Sequence, residues 1–253
     1  MGDNLNVRKE YKILKSRFIK LLDKYEIAGE VVRTQALDSD FLKLPPDYPL
    51  MKGKEVLLDC ELRGVHGQAY TDEPKIFQGR IAKIADNTLE DNSSRALFFS
   101  ALNALMALIG EISNPVHCTK TSPERCGVLL AEHIMRNFGK TVKVAHIGYQ
   151  PGHVKATSRA FRKVYVTDLD PDNIGKLKFG IRILDGSSNE EVIKKVDVAC
   201  ITGSSIVNGT LFDLLDWCEE YGTKPIIYGV SAKGAMRILG CEVFCPLARD
   251  RFY

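Results

Sequence analysis

The chain has 253 residues, of which 45% are hydrophobic and 26% charged, with a net charge of +3. That is an ordinary globular composition, enough to bury one large core or two modest ones, and we expect two packed lobes. Lys and Arg are interleaved with Asp and Glu, which leaves no electrostatic footprint for nucleic acid or an anionic membrane and favours a small-molecule partner.

No apolar run approaches the roughly 20 residues of a membrane span, and Arg8-Lys9-Glu10 lacks the apolar stretch of a signal peptide, so a cytoplasmic location is expected. In chain order, residues 8–25 carry Tyr11, Leu14, Phe18, Leu21 and Leu22 between charges, the spacing of an amphipathic helix. Pro45, Pro46 and Pro49 mark a rigid connection, and residues 55–62 then read as a strand. Residues 63–67 turn the chain, residues 68–71 return as a second strand, and a third short strand is expected between Ile76 and Ile84. From Ser93 to Ile112 a mostly apolar stretch predicts a buried helix joining the lobes, with Asn103 among its polar residues.

The second lobe starts at Ser122, with Ser122 as a cap, Pro123 at the first helical position and Thr121 with Glu124 at capping-box spacing; the helix should end near residues 137–139. Apolar strands then alternate with helices: residues 142–147, 164–167, 181–184, 196–201, 225–228 and 241–244. This predicts an α/β protein: a small α+β N-terminal domain over 1–121, and a Rossmann-like, doubly wound, mainly parallel sheet over 122–253. The seven cysteines contain no CxxC pair, which argues for reduced thiols rather than a disulfide framework or zinc ribbon, and Cys200 reads as core.

In an open parallel sheet ligands collect beyond the carboxyl ends of the strands. After the first strand comes Gly148-Tyr149-Gln150-Pro151-Gly152-His153, where two glycines allow close backbone approach and the next helix presents its N-terminal amides. The pattern is GxxxG rather than GxGxxG, so it does not specify a pyrophosphate-bearing dinucleotide. Asp168 ends the second strand twenty residues past Gly148, where a Rossmann site places its ribose-binding carboxylate; Asp170 is an alternative, and a plain Asx turn is the structural one. Asp185-Gly186 follows the third strand and could meet an adenine edge or form only a turn. The loop Thr202-Gly203-Ser204-Ser205-Ile206-Val207-Asn208-Gly209-Thr210 carries four hydroxyls and an amide, suited to binding substrate oxygens, positioning water or donating to a developing anion. Capping of the following helix would account for Thr210 but not for Thr202, Ser204 and Asn208 together. Residues 229–234 should form another wall. His146 reads as structural, His153 as a residue the loop could orient to a cofactor, and no histidine spacing indicates a metal site.

Residues 59–71, Leu102-Asn103-Ala104-Leu105 and residues 201–210 resemble the putative heavy-metal chelation family, whose members combine an enolase-like N-terminal with a Rossmann-like C-terminal domain. The sequence departs from it at Gly229-Val230-Ser231, where Gly-Pro-Ser is the pattern. Within that frame, residues 67–74 and 146–153 resemble methanogen enzymes that use S-adenosylmethionine (SAM) to methylate a pyridinol precursor of the iron-guanylylpyridinol cofactor of Hmd-type hydrogenase. The resemblance implies SAM over the Gly148 loop and Asp168, with Gly203 beside it and the pyridinol in the cleft toward the first lobe. Thr202, Ser204 and Asn208 would then stabilise the pyridinolate without a strong base. A non-catalytic metal- or metallophore-binding protein is the alternative, and an NAD-linked oxidoreductase the third reading. The sequence leaves a homodimer open.

Overall fold

The computed structural model describes residues 8–38, 55–119 and 122–249. Pro45, Pro46, Pro49 and the proposed Thr121 capping box lie outside the described residues. Helix α1 (Lys9–Lys24) buries Tyr11, Leu14, Phe18 and Leu22 of the stripe that the helical spacing predicts, with Leu21 half-buried at its edge. A strand not foreseen from the sequence, β1 (Val31–Leu37), pairs antiparallel with β2 (Val56–Leu62), which pairs with β3 (Val65–Thr71). Only residues 78–80 of the third expected strand are extended, as β4 (Gln78–Arg80), before the chain tightens into a 3-10 turn at Ile81–Asp86. The first sheet has the order β3-β2-β1-β4.

Helix α2 (Asn92–Leu108) is capped by the Asp91 carboxylate, which accepts from Ser94 N at 2.6 Å. Every residue from Ser94 to Met106 is buried, because one face lies on β2 and β3 while the other meets the second half of the chain. Contact with β3 is close enough that a Cβ on Gly67 would sit 2.1 Å from Ala104 N. One continuous apolar core runs from Leu14 and Phe18 through Phe98 and Leu102 to Ile147, Ile201 and Met236.

Helix α3 (Ser122–Phe138) precedes the second sheet, whose strands are β5 (Val144–Ile147), β6 (Val164–Asp168), β7 (Leu177–Lys178), β8 (Ile181–Asp185), β9 (Val198–Thr202) and β10 (Lys224–Tyr228). Their order is β10-β9-β5-β6-β8-β7, and all neighbours are parallel except the β7-β8 pair. Without β7 this is the Rossmann order 3-2-1-4-5. The mixed α/β fold with a parallel sheet is therefore as the sequence predicts, and Cys200 lies in its core. Two expectations are corrected. No helix joins β6 to β8: Pro171, Gly175 and Gly180 break the chain into turns and the short antiparallel β7. Residues 241–244 contribute one parallel bridge, Phe244 to Tyr228, instead of a strand.

Helices α4 (Pro151–Ala160), α5 (Asn189–Ile193), α6 (Ser205–Asn208), α7 (Leu211–Tyr221) and α8 (Lys233–Ile238) complete the architecture. Two contacts from the first half hold the Thr202 loop from behind. Tyr11 Oη donates to Ile206 O at 2.8 Å, and the buried Arg95 guanidinium donates to Val207 O and Leu89 O.

Candidate functional site

Strand order reverses between β5 and β9, and the crevice at their carboxyl ends opens into a cavity of about 550 Å³, within the usual range for a small-molecule site. Gly148 takes φ +95°, and a Cβ there would stand 2.6 Å from Thr202 Cγ2, so the first loop can lie against the β9 loop only as glycine. Gln150 caps α4 by accepting from His153 N, and Pro151 occupies the first turn. The Asp168 carboxylate ties two loops together: Oδ2 accepts from Tyr149 N and Oδ1 from Asp170 N, both at 2.7 Å. Burial still raises its pKa, outweighing those amides. Asp168→Asn should lower stability by about 1–3 kcal/mol, since an amide leaves one of these N–H groups facing another donor. A shift of the urea midpoint measures it, and an unchanged midpoint would refute this role.

The Thr202 and Ser204 hydroxyls are 3.0 Å apart, and Ser205 Oγ donates to Thr202 O at 2.6 Å. Thr210 sits at the start of α7 without capping it; its hydroxyl lies 3.5 Å from Ser205 O. Of the wall at residues 229–234, Gly229 and Ser231 line the cavity, while Lys233 turns away to the carbonyls of Ser113 and Asn114.

The charged side chains lining the cavity, among the described residues, are Glu55, Asp72, Asp168 and Asp170. Burial, reinforced by the other three carboxylates, pushes Glu55 up to about 7. The two lining histidines are held neutral by burial: His117 is brought down to about 4, and His153 is well below its ordinary value. Cys118, Cys126 and Cys245 share another wall with His117, and burial raises all three thiols, keeping them protonated. Among the described residues no three His, Cys, Asp or Glu side chains converge to hold a metal ion.

Residues 131–240 match the DUF364 family, described as "Putative heavy-metal chelation". A DUF364 protein of unknown function from Pyrococcus horikoshii is similar in structure, with a TM-score of 0.58 and 17% identity over 88% of this chain and 80% of that one. A second DUF364 protein of unknown function, from Desulfitobacterium hafniense, has a TM-score of 0.51 and 12% identity, covering 73% of this chain and 72% of the other. At these identities the likeness to the two DUF364 structures shows the fold alone. No curated protein matches the chain.

Of the residues singled out from sequence, Gly148, Tyr149, Gln150, His153, Asp168, Asp170, Thr202, Gly203, Ser204 and Asn208 meet at this cavity. Pro151, Gly152 and Asp185 do not line it. Gly152 serves helix packing, since a Cβ on Gly127 of α3 would fall 2.2 Å from its carbonyl oxygen. Asp185 is exposed and accepts from Ser187 N at 2.7 Å, closing a turn. His146 is structural, as its sequence context indicates: Nε2 bonds Thr157 Oγ1 at 2.8 Å inside the core. Thr167, Asn189, Glu55, Tyr70 and His117 also line the cavity and were not singled out. For Thr167 the signal was adjacency to Asp168; the residues from the first half offer none by spacing.

Proposed function

We propose that this protein is a SAM-dependent methyltransferase acting on a small hydroxylated heteroaromatic acceptor of the pyridinol class. The supporting observation is the acidic switch-point cavity: Glu55, Asp72, Asp168 and Asp170 favour a cationic ligand over a pyrophosphate-bearing dinucleotide. The residues also fit an adenosyl group: Gly148 permits close backbone approach, Asp168 ends the strand at the position from which Rossmann folds bind ribose hydroxyls, and Thr167 and Asn189 present buried polar atoms without partners among the described residues. When bound, SAM supplies an electrophilic methyl on a sulfonium.

This chain's residues do the rest. Tyr70 and His117, packed edge to face with centroids 5.2 Å apart, bring two aromatic rings to the cavity wall for the acceptor ring to pack against. Thr202, Ser204 and Asn208 donate to the acceptor oxygen as its proton leaves, and the rigidly backed loop fixes their direction. With the hydroxyl proton passed to water, the pyridinolate held by Thr202, Ser204 and Asn208 would take at a ring carbon the methyl that SAM would supply, and the displaced ring proton would restore the hydroxyl.

Calorimetric titration of the full chain with SAM, S-adenosylhomocysteine (SAH), NAD and divalent metals tests the reading. SAM and SAH should bind and NAD bind much more weakly; failure of both adenosyl compounds overturns it. A metal-binding protein is the second reading, resting on the "Putative heavy-metal chelation" description of the family matched by residues 131–240, and metal binding without SAM binding would support it.

The Glu55 carboxyl gives a pH signature. Its folded pKa near 7 lies above the ordinary carboxylate value, so the ligand-free protein binds more protons than the unfolded chain between those limits and loses stability as pH rises through that window. The negative charge that appears then attracts a sulfonium. SAM affinity should rise by about threefold to tenfold from pH 6 to 8 while that of uncharged-sulfur SAH stays nearly flat, and Glu55→Gln should remove the rise. Equal pH profiles for the two compounds would contradict a sulfonium near Glu55.

A further inference from the structure

Three polar atoms on the cavity wall are buried and have no hydrogen-bond partner among the described residues: His153 Nδ1, Thr167 Oγ1 and Asn189 Oδ1. An unsatisfied buried acceptor or hydroxyl is costly in a folded protein, and several on one cavity wall point to a ligand that satisfies them. Thr167 is fully buried and Asn189 is 8% exposed. Thr167 is the penultimate residue of β6, and Asn189 opens α5 four residues beyond β8. Those strands are parallel neighbours, with Asp168 opposite Asp185, so both side chains belong to one corner of the site.

The same corner has an apolar surface. Leu169 lines the cavity yet is 57% exposed, and it lies over Gly186, where a Cβ would come within 2.6 Å of its Cδ2. A large aliphatic side chain left open beside buried polar atoms suits a flat ring with a polar edge.

We propose that this corner is an adenine-specific subsite, in which Leu169 packs on the ring face and Asn189 reads the edge bearing the exocyclic amine. The assignment rests on the adenosyl-cofactor reading above. An asparagine amide is complementary to the adenine N6/N7 edge: its carbonyl accepts from the 6-amino group and its NH2 donates to N7. A 6-oxo base would instead set carbonyl against the Asn189 carbonyl. The Thr167 hydroxyl donates or accepts as the base or ribose requires. Asp185, nominated from the sequence for the adenine edge, is occupied with Ser187 N outside the cavity, and Asn189 takes its place.

The test compares SAH with its deaminated S-inosyl counterpart by calorimetry on the full chain. The wild-type protein should prefer SAH by at least about tenfold, because the oxo analogue leaves the buried Asn189 acceptor opposed by another acceptor. Asn189→Ala should reduce the preference to within about twofold, chiefly by weakening SAH; Thr167→Val, isosteric and less disturbing to the helix start, should weaken both compounds alike. Equal binding of the two by the wild-type protein, or a full preference retained in Asn189→Ala, overturns the subsite. Failure of the wild-type protein to bind either SAM or SAH overturns the adenosyl reading itself, and the subsite with it.

Discussion

Replacing Asn103 with leucine is expected to destabilise the protein by about 3–5 kcal/mol, the range reached when a buried polar network loses its centre. Asn103 is fully buried in the middle of α2 and spends its whole amide on backbone. Its Nδ2 donates to Gln68 O at 2.9 Å, Val230 O at 3.0 Å and Ser231 O at 3.2 Å, while Oδ1 accepts from Gly234 N at 2.7 Å. One side chain thus joins β3 of the first sheet to the loop after β10 of the second. Leucine matches its size but would strand three carbonyls and one amide away from water, and the apolar gain is small because the site is already dry. For a chain of this length such a loss lowers the melting temperature by roughly 10 °C. Asn103→Asp would keep the acceptor for Gly234 but turn a carboxylate oxygen toward three carbonyls, and should be no better tolerated. Urea unfolding followed by circular dichroism gives the comparison; a loss under about 1 kcal/mol would show that the amide is not the join.

Gly148→Ala is expected to cost at least about 100-fold in SAM affinity, the scale on which ångström misplacement of a binding loop acts. The backbone at φ +95° is strained for any L side chain, at about 1–3 kcal/mol, and the new methyl meets Thr202 Cγ2 at 2.6 Å. The conflict pushes the Gly148 loop and the Thr202 loop apart, and those are the two walls between which the ligand is proposed to lie. Adding Thr202→Ser removes the clashing methyl but not the strain, so the double variant should recover part of the affinity, a coupling read by a double-mutant cycle. Wild-type affinity in Gly148→Ala would remove the loop from the binding site.

What the sequence made legible followed from physical regularities. Five of the six expected strands of the second half exist because buried parallel strands must be short, apolar and separated by crossovers. The sixth shrank to the Phe244 bridge, since residues 241–249 run as turns and loop. β1 was missed because Val31–Leu37 interleaves apolar residues with Arg33, Thr34 and Gln35, and only pairing with β2 and β4 makes it a strand. The carboxyl-end rule pointed to loops that the fold brings to one cavity, where Gly148, Asp168 and Thr202 converge. It could not say which way a side chain turns, which is why Asp185 closes a turn while Asn189 faces the cavity. Glu55, Tyr70, Asp72, Asn92 and His117 were beyond reach for another reason: they come from the other half of the chain and meet the site only through the packing of α2.

The burial of α2 on all sides also constrains how a ligand enters. Prising the two sheets apart would strip water-free packing from thirteen consecutive residues of this helix, and at about 25 cal/mol per Å² of apolar surface that motion is prohibitive. A hinge that swings one half away from the other is therefore closed to this molecule. Ligand traffic is left to the mouth of the crevice at the strand ends, where Leu169 on the lining is exposed, while the body stays rigid. The same helix that makes the site from two halves of the chain thus leaves entry to the open rim of the crevice.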